Sequence, residues 1–81
     1  MARYSVETKL NSEQAIENAV AYFGQGGIGL KVAEQGSCCA HFVGGGGHVQ
    51  VTVTAGNPRT TVELVTREWD YDVKQFMHKI A

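Results

Sequence analysis

The run CCAHFVGGGGHVQVTV, Cys38 to Val53, decides how the rest of the chain is read. Its second half alternates, with Val49, Val51 and Val53 separated by Gln50 and Thr52, the period-two pattern of a strand with one dry and one wet face. Folding the run back at Gly45-Gly46, a two-residue turn suited to hairpins, sets Val49 opposite Phe42, Val51 opposite Ala40 and Val53 opposite Cys38. Every inward pair is then apolar. A slip of one residue would turn all of these side chains outward, so the register is strongly specified.

The same bookkeeping extends in both directions. Downstream, a turn at GNPR, Gly56 to Arg59, places Val53 opposite Val62 and Val51 opposite Leu64, again dry against dry. Upstream, a three-residue turn at Gln35-Gly36-Ser37 places Val32 opposite Ala40 and Leu30 opposite Phe42. Four antiparallel strands are expected. The segment RYSVETKL, Arg3 to Leu10, also alternates, with Tyr4, Val6, Thr8 and Leu10 on one side, and adds a fifth.

Two segments have helical spacing instead. After NSEQ, where Asn11 or Ser12 can cap free N–H groups and Glu13 suits the positive end of the dipole, Ile16, Ala19, Val20 and Phe23 form one apolar stripe. Gly24 is expected as a left-handed C-cap. In WDYDVKQFMHKIA, Asp70 is the expected N-cap and Val73, Phe76, Met77 and Ile80 the stripe, with His78 and Lys79 at the negative end. The expectation is an α+β domain spanning residues 1–81. Its order is β-α-β-β-β-β-α, a five-stranded antiparallel curved sheet with two helices packed on one face.

Composition narrows the function classes. The chain has 81 residues, seven Lys/Arg against eight Asp/Glu, and no run of basic residues. Nucleic-acid binding and a polybasic membrane anchor both require clustered cations, so neither partner is expected. No apolar run reaches the ~20 residues of a membrane span, and MARYSVETKL lacks the apolar core of a signal peptide. Adjacent cysteines do not make a disulfide framework, so a cytoplasmic protein with reduced thiols is expected. A domain this small buries only about 60–65% of its unfolded surface, which favours help from an oligomer.

The element order resembles the TATA-binding-protein-like fold and the related helix-grip fold of START and plant-allergen ligand carriers. That resemblance covers the whole chain and rests on element order, without a shared motif. It implies that the first strand lies beside the last and that the sheet curls around the C-terminal helix. Helix-grip carriers are longer and enclose a lipid-sized cavity, and TATA-binding proteins duplicate the unit and carry a basic sheet face. The resemblance therefore bears on fold and not on function.

The register assigns candidate residues to faces. Cys38, Ala40 and Phe42 point into the core, whereas Cys39, His41 and Val43 point out. His48 opposes Val43, which makes His41 and His48 diagonal neighbours on the open face. Cys39, His41 and His48 are thus the candidate ligands for a metal such as zinc, although the residue spacing is unlike C-x₂₋₄-C sites and no cofactor is expected. No nucleophile, base and orienting carboxylate converge, so catalysis is not expected. Any apolar ligand would lie near Tyr4, Phe42, Trp69 and Phe76. The four glycines, Gly44 to Gly47, exceed what a turn needs and indicate a bulge, a mobile tip or a close approach of backbone. Ala33, Val43 and Val65 make the outer face more apolar than water requires and are the candidate interface residues.

Three functions follow in order of preference. The first is a non-enzymatic binding or assembly module, homodimeric or with a protein partner, that uses the outer face or an edge strand. The second is a miniature helix-grip binder of a small apolar ligand. The third is a metal-binding or redox protein using Cys39, His41 and His48.

Overall fold

The computed structural model describes all 81 residues. Strand β1 (Ala2–Thr8) is followed by helix α1 (Ser12–Phe23), strands β2 (Lys31–Gln35), β3 (Cys39–Gly44), β4 (Gly47–Thr54) and β5 (Thr60–Arg67), and helix α2 (Asp70–Ile80). The strands form one antiparallel sheet in the order β1-β5-β4-β3-β2, curved and unclosed. The first strand thus lies beside the last.

The alternation in sequence becomes burial in the structure. Val49, Val51, Val53, Val62, Leu64, Ala40 and Phe42 are buried on one face. The helices cover that face, α1 over β3 and β4 and α2 over β1 and β5. Ala15, Ile16, Ala19 and Phe23 of α1 meet Val73, Phe76 and Ile80 of α2 across it. Phe23 is the keystone, with its ring centroid 5.5 Å from Phe42 and 5.2 Å from Phe76. Burying one such aromatic contributes about 2–3 kcal/mol relative to leaving it in water.

The β3–β4 and β4–β5 registers match the expected pairs, including Phe42 with Val49, Ala40 with Val51, Val53 with Val62 and Val51 with Leu64. The β2–β3 register differs. Val32 pairs with Phe42 and Gln35 with Ala40, and the ladder shifts between Val32 and Glu34, so Ala33 is a bulge. The reversal occupies Gly36 to Cys39 and is closed by the Gly36 N–H donating to the Cys39 carbonyl at 2.8 Å. Leu30, buried, then lies over Gly44, where any Cβ would stand 2.8 Å from the leucine methyl. A large side chain over a glycine decides this register, a relation the local turn residues do not encode.

The caps also differ in detail. Asn11 caps α1 in a capping box, accepting from the Gln14 N–H at 2.8 Å while the Gln14 side chain accepts from the Asn11 N–H at 3.1 Å. Gly24 ends the helix in an extended conformation, φ −79°, rather than a left-handed one. Glycine is required there because a Cβ would stand 2.5 Å from the Val20 carbonyl oxygen. Trp69, not Asp70, occupies the cap position of α2, and no side chain caps that helix. Asp70 is engaged elsewhere, accepting a hydrogen bond from the Tyr4 hydroxyl at 2.7 Å. The β4–β5 loop contains a cis Asn57–Pro58 peptide.

Candidate functional site

Two surfaces present chemistry: the open sheet face near the glycine turn, and the outer edge of β1. The first is built from the β3–β4 hairpin. Gly45 and Gly46, with φ of 59° and 79°, form its turn in a left-handed conformation that side chains disfavour. The outer glycines answer a different demand. Gly47 lies under the exit of β5, where a Cβ would collide with the Arg67 carbonyl and stand 2.8 Å from the Cβ of Glu68. Trp69 then lies over Gly45 and donates its indole N–H to the Gly44 carbonyl at 3.0 Å. Gly45, Gly47 and the Gly44 carbonyl are the bed on which the β5–α2 connection rests. Glu68, with φ 76°, accepts the strained turn that brings Trp69 there.

Across the open face the ladder aligns three rows. One runs Lys31, Val43, His48, Arg67; the next runs Glu34, His41, Gln50, Val65, Arg3; the third runs Cys39, Thr52, Glu63, Ser5. His41 and His48 meet edge to face with ring centroids 5.6 Å apart, as diagonal neighbours should. Cys39 takes a different partner. It is joined to Cys38 in a vicinal disulfide, and no cysteine is free.

This corrects the expectation that Cys38 is buried. Side chains of consecutive residues in an extended strand point to opposite faces, so the two sulfurs can meet only if one leaves its strand position. Cys38 does so and is exposed, while its backbone keeps the expected partner, its carbonyl accepting from the Val53 N–H at 2.7 Å. With Cys39 engaged, the candidate metal cluster reduces to two imidazoles. No group of three or more His, Cys, Asp or Glu side chains is arranged to hold a metal ion. A shallow hollow beside the disulfide is bordered by Glu34, Cys39, His41 and Gln50.

The candidate ligand residues do not share a cavity. Phe42 and Phe76 are fully buried, with Phe23 between them. Tyr4 is half-buried on β1, its hydroxyl on Asp70 and the Lys74 ammonium 5.6 Å from its ring centre. Trp69 is half-buried 25 residues along the chain from the Gly44 carbonyl it holds. Of the candidate interface residues, Val43 and Val65 are half-buried on the open face and Ala33 is exposed at the β2 bulge.

The second surface was not legible as a site in the sequence beyond the presence of an edge. The groove between β1 and α2 is lined by Ser5, Val6, Lys74, Met77, His78 and Ala81. Tyr4 and Val6 point to the helix side yet stay half-buried, because β1 has no neighbour on its outer flank. The strand is anchored at both ends. At one, Tyr4 bonds Asp70; at the other, buried Thr8 donates to the Ile80 carbonyl at 2.6 Å and accepts from the Leu10 N–H at 3.2 Å. The Asp70 carboxylate holds the Tyr4 phenol protonated and so lifts its pKa above 10.0, with desolvation and the carboxylate's charge adding to the effect. The Tyr22 hydroxyl is lifted too, first by burial and then by Asp72 and Tyr71.

No helix is long and apolar enough to cross a membrane. Comparison with protein-family models, curated proteins and solved structures returned no match.

Proposed function

We propose that this chain is a small non-enzymatic assembly module that works as a homodimer. The observation that carries this reading is the β1 edge: seven regular residues whose outer backbone groups lack a strand partner, flanked by half-buried Tyr4, Val6 and Met77. Such an edge is a template for pairing with another chain, and proteins that stay monomeric blunt theirs. An average stable interface of about 800 Å² per partner would use roughly a sixth of the 4747 Å² surface, a reasonable share for one edge and its flanking helix. Element order and β1–β5 pairing support classing the architecture as a minimal, cavity-free helix-grip fold. Native mass spectrometry across a concentration series tests the reading. A dimer that dissociates on dilution is expected, and a monomer at every concentration up to about 100 μM, where even weak dimers (Kd of micromolar order) associate, would reject it.

A second reading is favoured by the vicinal disulfide at the exposed β2–β3 reversal, beside His41. On it, the protein exchanges electrons with a dithiol. The donor is oxidised to its own disulfide while Cys38 and Cys39 become two thiols. Thiol titration after incubation with a dithiol, and again after removing it in air, tests this. Two thiols that appear and disappear reversibly are expected; thiols that never appear would reject it.

A further inference from the structure

Resting on the homodimer reading, we infer its geometry: β1 pairs antiparallel with β1 of a second copy of this chain, about a two-fold axis through Ser5, to make a continuous ten-stranded sheet. The two ends of the sheet are not equivalent as docking edges. β2 is interrupted at Ala33 by a bulge, a device that discourages strand addition, whereas β1 pairs with β5 without interruption from Ala2 to Thr8. β1 contains no proline and no glycine, and it points no charge toward the helix layer.

The sequence of β1 selects the occupant. Centred on Ser5, an antiparallel pair sets Arg3 opposite Glu7 of the second copy, Tyr4 opposite Val6, and Ala2 opposite Thr8, each contact occurring twice. Opposite charges meet on the open face and apolar side chains meet on the helix face. Other registers lose this. Centring on Val6 sets Arg3 against Lys9; centring on Tyr4 sets Glu7 against Met1. Centring between residues would mix the wet and dry faces. Only the Ser5 register uses all seven residues and matches both charges. A foreign strand could satisfy the backbone, but nothing would require β1 to complement itself.

The same axis brings the grooves together. It sets α2 antiparallel to its mate, on the same side of the joined sheet, with the acidic first turn (Asp70, Asp72) directed toward the basic last turn (His78, Lys79) of the other copy. Val6 and Met77, left half-covered in one copy, line the seam.

Cysteine cross-linking in a Cys38→Ser/Cys39→Ser background tests the register, read beside native mass spectrometry of the same samples. Facing residues lie about 4.5–5.5 Å apart at Cβ, within reach of oxidation or a short bifunctional thiol reagent. Ser5→Cys is expected to cross-link to itself. Arg3→Cys and Glu7→Cys are expected to cross-link when mixed and not alone. In the absence of cysteines, Arg3→Glu is expected to weaken dimerisation on the order of tenfold, through two like-charge pairs, and Arg3→Glu/Glu7→Arg to restore it. A dimer in which Ser5→Cys stays uncross-linked, or which Val65→Asp abolishes while Arg3→Glu leaves it intact, would overturn this geometry and leave the homodimer standing. A monomer in every sample would overturn both.

Discussion

β1 and β2 close the same sheet at opposite edges, and they are built on opposite terms. β1 is paired residue for residue with β5 and pinned from above by α2 through Tyr4–Asp70 and Thr8–Ile80. β2 is five residues long, mostly exposed, bulged at Ala33, and ends in a reversal closed by the Gly36–Cys39 backbone hydrogen bond and carrying the vicinal cysteines. A sheet edge can thus be managed in two ways. A bulge and exposed polar residues make β2 a poor template, while rigid anchoring keeps β1 a good one. A strand held in extended form from one side has little entropy left to lose when a partner arrives.

Substitutions on the two sides should separate these edges by size of effect. Phe76→Ala removes the fully buried ring that α2 packs against Tyr22 and Phe23 and should cost about 3–5 kcal/mol in urea unfolding, whereas Val32→Ala at the half-buried β2 edge should cost about 1 kcal/mol. A loss at Val32 as large as that at Phe76 would mean that the β2 edge supports the fold as strongly as the helix–helix contact does. Thr8→Val keeps the shape of its buried site but leaves the Ile80 carbonyl and the Leu10 N–H without their hydroxyl partner. A loss of about 1–2 kcal/mol is expected, with faster proteolysis at the end of α2. Cys38→Ser/Cys39→Ser opens a ring that spans adjacent residues and so restrains little of the unfolded chain. Its unfolding midpoint should move by less than about 1 kcal/mol equivalent, with the sheet's circular dichroism unchanged.

The smallest effect is a pH dependence. The hydrogen bond to Asp70 raises the Tyr4 pKa in the folded state above 10.0, so folding favours the protonated phenol. That contribution is whole below the unfolded pKa and is lost as pH rises through the higher folded value. Stability should therefore fall more steeply above pH 10.0 in the wild type than in Tyr4→Phe. Tyr22 is raised in both proteins, so the difference between their urea midpoints isolates Tyr4. Parallel curves would contradict the Tyr4–Asp70 anchor.

What could be read from the residues was whatever depends on neighbours in sequence. The β3–β4–β5 register follows from alternation plus turn chemistry, and both are local. The β2 register does not, because it depends on Leu30 lying over Gly44 and on the cysteine pair claiming the reversal. Asp70 looks like a cap in sequence; in the fold it serves Tyr4, 66 residues away. The surplus glycines pointed to a close approach of backbone among other readings, yet only the fold names what approaches: Arg67, Glu68 and Trp69. The same limit applies to the sites. The His41–His48 contact was legible from register and the β1 groove comes from tertiary placement, while the disulfide joins sequence neighbours yet breaks the strand alternation from which the faces were read.

Amide hydrogen exchange of both edges, followed as protein concentration rises, shows directly whether β1 is the edge that pairs. Exchange across Ala2–Thr8 is expected to slow with concentration while exchange across Lys31–Gln35 does not change. Concentration-independent exchange at β1, or slowing confined to β2, would contradict it.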